Sequence, residues 1–181
     1  MTAIVAMIHE GKVWMGGDHL GSDGFTKNEF VKNDKVFKNG DFLIGYTTSF
    51  HMGQILQYHW KQPHRQENLT DDVYFYKFVM KSFIDCFKDN GYGDKRGVGW
   101  ESGEFLVGWK GRLFLVENAH ALECEKFGAV GSGSYHAIGA LKALDLVKVN
   151  LSPEDMLGTA LVVSHESICT VGNKYTIISE D

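Results

Sequence analysis

Residues Thr2-Ala-Ile-Val-Ala-Met-Ile-His-Glu-Gly-Lys-Val-Trp-Met-Gly-Gly-Asp18 decide the fold. Ala3 to Ile8 and Lys12 to Gly16 are β-rich runs around Glu10-Gly11, a short turn signal, so the chain begins inside a strand and doubles back as a hairpin. Turning about Glu10-Gly11 sets His9 opposite Lys12, and the same pairing carried back sets Ala3 opposite Asp18 and Thr2 opposite His19. Thr2 and a carboxylate therefore meet at one sheet end. Strict alternation sends their side chains to opposite faces, so direct contact between them needs a twist or bulge. A lysine from the next hairpin bridges the gap better, and Lys35 opens its strand where Asp18 closes its own.

Outward from that hairpin, Lys35 to Lys38 and Phe42 to Tyr46 flank Asn39-Gly40, the strongest short-range hairpin dipeptide. Apolar residues then recur three and four apart from about Thr48 to Trp60 and from Thr70 to Lys88, predicting two amphipathic helices, the second capped by Thr70. Asp89 to Gly103 reads as a Gly-rich, charged loop. Phe105 to Trp109 and Leu113 to Val116 form a third hairpin around Lys110-Gly111, and Lys126 to Val130 runs as a strand into Gly131-Ser-Gly-Ser134. Two more helices follow, Tyr135 to Val149 and one opening at Ser152-Pro-Glu-Asp155, before a last strand at Tyr175 to Ser179. Strands, two helices, strands, two helices, strand: the order predicts an α+β fold of two stacked sheets with a helix pair outside each.

Length and composition bound the answer. A chain of 181 residues with 44% hydrophobic residues fits one domain spanning 1–181. A net charge of −5 argues against a nucleic-acid or anionic-membrane surface. The sequence has neither an apolar run long enough to span a bilayer nor a signal-peptide layout, so a cytoplasmic protein is expected. Cys86, Cys124 and Cys169 are odd in number and widely spaced, predicting reduced, buried thiols rather than disulfides or a zinc site. The histidines show no metal-binding spacing; neither a metal nor any other cofactor is expected. Gly131-Ser-Gly-Ser134 lacks the Gly-Lys-Ser/Thr end of a P-loop and the third glycine of a dinucleotide fingerprint.

Thr2, Asp18 and Lys35 make a chemical set. A threonine hydroxyl is a poor nucleophile at neutral pH and needs an adjacent base. If Met1 is removed, Thr2 carries its own, an α-amine with a pKa of about 7.7–8.0. Lys35, held charged by Asp18, would stabilise the developing alkoxide and keep the amine unprotonated, while backbone N–H groups receive the carbonyl oxyanion.

These residues resemble a known family. Thr2-Ala-Ile-Val-Ala, Gly16-Gly-Asp18, Lys35-Val-Phe37, Leu43-Ile-Gly-Tyr46, Ala129-Val-Gly-Ser-Gly-Ser-Tyr135 and Ala140-Leu-Lys-Ala-Leu144 are together similar to proteasome β subunits and HslV-type threonine peptidases, the proteasome-like N-terminal-nucleophile hydrolases, over nearly the whole chain. The resemblance implies a four-layer αββα sandwich. It matches Thr2 to the catalytic threonine, Asp18 to the family aspartate, Lys35 to the family lysine after a one-residue insertion within Gly21 to Asn33, and Ser132 to the serine near the threonine amine. Thr48 falls where the family has a glycine whose N–H helps form the oxyanion hole. The supporting acid-and-serine pair falls on Glu166 and Cys169 or on Ser167 and Thr170, and Tyr58 to Gln66 has no family counterpart. The function implied is a threonine-type endopeptidase in a homo-oligomeric ring, acting on peptides or unfolded proteins with an ATPase unfoldase as feeder. A small-molecule amidohydrolase and a catalytically silent structural subunit are the alternatives.

Overall fold

The computed structural model describes residues 2–22, 26–28, 32–96 and 99–181. Met1, whose removal the threonine chemistry requires, lies outside the described residues, as do parts of Gly21 to Asn33 and of the Asp89 to Gly103 loop.

The first hairpin has the expected register. β1 (Ile4–His9) and β2 (Lys12–Asp18) pair antiparallel with His9 opposite Lys12 and Ile4 opposite Gly17. Two short strands, β3 (Gly21–Ser22) and β4 (Lys27–Asn28), make a small hairpin before β5 (Val36–Asn39) and β6 (Phe42–Tyr46). Beyond the first helix pair come a second small hairpin, β7 (Asp94–Arg96) with β8 (Gly99–Glu101), then β9 (Glu104–Trp109), β10 (Arg112–Glu117), β11 (His120–Cys124), β12 (Phe127–Val130) and β13 (Tyr175–Ser179). One large sheet runs β12-β1-β2-β13 and the other β11-β10-β9-β6-β5. Their strand pairs are antiparallel.

Alternation along β1 shows how the layers are made. Ile4 and Ala6 point into the space between the sheets with Val13, Met15, Val36, Leu43, Leu106 and Leu113. Ala3, Val5 and Met7 point the other way, onto Leu141, Leu157 and Leu161 of the helices Ser134–Leu146 and Pro153–Ser167. A strand covered on both faces reads as a continuous apolar run, which is why Ala3 to Ile8 has no polar alternation. The second sheet turns its outer face to an aromatic layer: Phe42 stacks on Trp109 at 5.5 Å, Phe75 on Phe114 at 3.7 Å and Trp60 on Phe83 at 4.6 Å. The architecture is the αββα sandwich that the sequence implies.

Several local features differ from expectation. The first helix starts at Phe50, where the Ser49 hydroxyl accepts from the His51 N–H, and it widens into a π-helical turn over Ile55–His59. The second contains another, Tyr74–Val79, between Asp71–Val73 and Met80–Asp89. β11 went unpredicted because it is an edge strand whose Leu122 is exposed, so it has no apolar stripe. Cys86 and Cys124 are half-buried, and burial pushes their thiols up. Cys169 is exposed, contrary to the expected burial, because it lies in the turn that follows the Pro153–Ser167 helix.

Glycine lets the sheets close. A Cβ at Gly45 would sit 2.6 Å from both the Ile4 Cγ2 and the Met15 Sδ. Gly108 is similarly crowded, with Val13 Cγ1 at 2.8 Å. Gly45→Ala should therefore cost about 1–3 kcal/mol through overpacking, read as a lowered urea midpoint; a wild-type midpoint would contradict the close approach.

Candidate active site

Asp18, at the end of β2, is fully buried, and its carboxylate collects donors from four residues. Oδ1 accepts from the Ala3 N–H and from Lys35 Nζ, each at 3.0 Å. Oδ2 accepts from the Leu20 N–H at 3.0 Å and the Gly172 N–H at 2.9 Å. Ala3 and Asp18 face one another as the hairpin count requires, and the Asp18 N–H donates to the Ala3 carbonyl at 3.2 Å.

Lys35 immediately precedes β5 in the other sheet and is 2% exposed. Its ammonium donates to Thr2 Oγ1 at 2.7 Å, Asp18 Oδ1 at 3.0 Å and the Leu20 carbonyl at 2.6 Å, which uses all three of its protons. Burial pulls its pKa below the ordinary lysine value, and the Asp18 carboxylate opposes that pull. Thr2, Asp18 and Lys35 are thus brought together, with the lysine as the bridge.

Ser132 belongs to a second wall. Its hydroxyl donates to the Thr2 carbonyl at 3.3 Å and lies 3.1 Å from Thr170 Oγ1, while the Gly133 N–H donates to the same carbonyl at 3.2 Å. Gly131 has φ +93°, and a Cβ there would fall 2.3 Å from the Thr2 carbonyl oxygen, so only glycine fits. Among the late residues, buried Thr170 is the one that reaches this cluster. The Ser167 hydroxyl bonds back to Val163 of its own helix, and Glu166 and Cys169 are exposed.

Thr48 forms the third wall. Its φ of +61° is a strained conformation for a β-branched residue. Its hydroxyl lies 3.1 Å from Thr47 Oγ1, which donates to the Glu104 carbonyl at 3.0 Å. A cavity of about 330 Å³ opens here, lined by Thr2, Leu20, Lys35, Tyr46, Thr48 and His51 among others. Sequence reasoning missed the Leu20 carbonyl, the Gly172 N–H and Glu104. Backbone groups carry no sequence signal, and Glu104 looks like an ordinary strand-opening acid. Among the described residues, no group of three or more His, Cys, Asp or Glu side chains could hold a metal ion, and no helix is long and apolar enough to cross a membrane.

No protein-family model and no curated protein matches the chain. Solved structures do. BPH of Thiobacillus denitrificans in complex with epoxomicin superposes with a TM-score of 0.79 at 19% identity, covering 98% of this chain and 97% of that one. The eukaryotic HslV of Trypanosoma brucei gives 0.68 at 16%, with 98% of each chain covered. Anbu of Yersinia bercovieri, described as an ancestral β-subunit, gives 0.63 at 13%, covering 98% of this chain and 80% of that one. The chain has the proteasome-type N-terminal-nucleophile hydrolase fold. Within that fold Lys35 lies between Thr2 and Asp18 and bonds to both.

The Asp18–Lys35 pair should behave as a coupled unit. Asp18→Asn is expected to destabilise the protein by about 3 kcal/mol, because it leaves a buried cation without its anion. The double variant Asp18→Asn/Lys35→Met should cost less than the two single changes added together. Strict additivity in urea unfolding would show that the two groups do not depend on each other.

Proposed function

We propose that the chain is a cytoplasmic threonine-type endopeptidase subunit of a self-compartmentalising ring, with Thr2 as nucleophile after Met1 is removed. The observation that carries this reading is the 2.7 Å hydrogen bond from Lys35 Nζ to Thr2 Oγ1, with Asp18 on the same ammonium. A cation aimed at a hydroxyl stabilises the alkoxide far more than the neutral alcohol, which is the differential interaction catalysis requires.

The free α-amine of Thr2 takes the hydroxyl proton as Oγ1 attacks the peptide carbonyl carbon. Backbone N–H groups near Thr48 receive the oxyanion. The tetrahedral intermediate expels the leaving amine, which takes the proton held by the α-amine, and an ester on Thr2 remains. Water, deprotonated by the same amine, hydrolyses that ester and restores the hydroxyl. Ser132 and the Gly133 N–H hold the Thr2 carbonyl, which orients both reacting groups of the residue. The shared fold with HslV and with Anbu supports a ring of identical subunits, peptides or unfolded proteins as substrates, and an ATPase unfoldase as the feeding partner.

Intact mass after treatment with an epoxyketone tests the nucleophile, and the related fold of the epoxomicin-bound Thiobacillus protein motivates the probe. The expected result is loss of methionine plus one adduct, abolished in Thr2→Ala. A native mass that retains Met1 and takes no adduct would sink the proposal in favour of a silent structural subunit. Lys35→Ala should fold and bury Thr2 yet lose turnover by at least about a hundredfold; undiminished hydrolysis in that variant would remove its assigned role.

The pH dependence has a sign that follows from Lys35. Its folded pKa lies below the unfolded value of 10.5, so between the two the unfolded chain binds more protons and this group's contribution to stability rises with pH. Hydrolysis should fall over the same window, because the alkoxide loses its cation. Stability and activity moving together there would contradict the assignment.

A further inference from the structure

We propose that Glu104 is a positioning residue that clasps the two walls on either side of Thr2; this inference rests on the peptidase reading above. Glu104 opens β9, and it binds one wall through its backbone and the other through its side chain. Its carbonyl accepts from Thr47 Oγ1 at 3.0 Å, and Thr47 is joined by its hydroxyl to that of Thr48. Its carboxylate Oε1 accepts from the Gly131 N–H at 2.9 Å. Gly131 opens the turn whose Ser132 hydroxyl and Gly133 N–H both donate to the Thr2 carbonyl.

The clasp crosses the sandwich. β9 and Thr47 belong with one sheet, whereas Gly131 follows β12 of the other, so a single residue sets the width of the cleft in which Thr2 lies. Gly131 has little freedom to adjust, since it packs against the Thr2 carbonyl and the Thr47 methyl. The preceding Gly103, with φ +89°, lies against Thr48, and the Ser102 N–H donates to Asn118 Oδ1, so the segment entering β9 is also held. Pairing within the sheet does not explain an acid here. Glu104 stands directly across from Glu117 on β10, and like charges in that relation disfavour a sheet.

If the carboxylate only fixes the Gly131 turn, its loss should disturb the placement of Thr2 and leave substrate contacts alone. Glu104→Leu is expected to lower kcat by about ten- to a hundredfold with KM within about twofold. Glu104→Gln keeps an acceptor for the Gly131 N–H and should recover most of that loss. Glu104→Asp keeps the charge but falls short by one methylene, and it should resemble Glu104→Leu. Amide hydrogen exchange at residues 131–133 gives a readout independent of turnover and should speed up in Glu104→Leu while the β1 amides stay protected.

Unchanged exchange at residues 131–133 in Glu104→Leu overturns the proposal, and so does a Glu104→Gln variant as slow as Glu104→Leu. Loss of β1 protection in Glu104→Leu as well would make its role one of general stability and likewise overturn it. A wild-type protein that hydrolyses nothing and takes no epoxyketone would end the peptidase reading, and the exchange comparison would still decide the clasp.

Discussion

A single ammonium, that of Lys35, joins the two halves of the sandwich at the point where the chemistry is proposed. Burying such a charge costs several kcal/mol unless acceptors replace its water. Here they do: Thr2 Oγ1, Asp18 Oδ1 and the Leu20 carbonyl together take its three protons. Asp18 and Leu20 come from the sheet of β1 and β2, and Lys35 from the strand edge of the other. The pair therefore spans the two sheets. The glycines that let them pack, Gly45 and Gly108, and Gly17, whose missing Cβ leaves space for Ile4 and Val36, are part of the site in that sense.

Register carries the same dependence. A slip of one residue in the β1–β2 hairpin would exchange the faces of Ala3 and Ile4, sending the inter-sheet side chains to the helices. It would also move Asp18 away from the Ala3 N–H, its 3.0 Å donor. Burial on both faces of β1 makes such a slip costly twice over, since each face has its own packed partners in Val36 and Leu141. The strand that positions Thr2 is thus buried from Ile4 to Met7 on both faces, and rigid placement of a nucleophile follows from ordinary core packing.

Much of this was legible before the structure. The Glu10-Gly11 turn gives the pairing of Ala3 with Asp18, and alternation then sends the Thr2 and Asp18 side chains to opposite faces and calls for a bridging group; Lys35 was readable because it opens its strand at the same level. The helix pairs were readable from their apolar period, although their π-helical turns were not, since period alone does not tell one helical hydrogen-bond pattern from another. Contacts made by long-range backbone groups were invisible: the Gly172 N–H lies 154 positions from the carboxylate it serves. The choice among Glu166, Ser167, Cys169 and Thr170 was likewise out of reach, because neighbours at a helix end differ in direction, and only Thr170 turns inward to Ser132.

Two positive-φ positions on either side of Thr2 show different solutions to the same crowding. At Gly131 the backbone takes φ +93° with no side chain at all, because one would strike the Thr2 carbonyl. At Thr48 the chain takes φ +61° and keeps a β-branched side chain, a conformation that costs on the order of 1–3 kcal/mol. That cost is offset locally if the hydroxyl has a fixed partner, and it does: Thr48 Oγ1 meets Thr47 Oγ1, which donates onward to the Glu104 carbonyl. The strained residue is therefore tied to the same strand whose side chain secures Gly131. Strain on one wall and the absence of a side chain on the other are then two consequences of holding both walls close to Thr2.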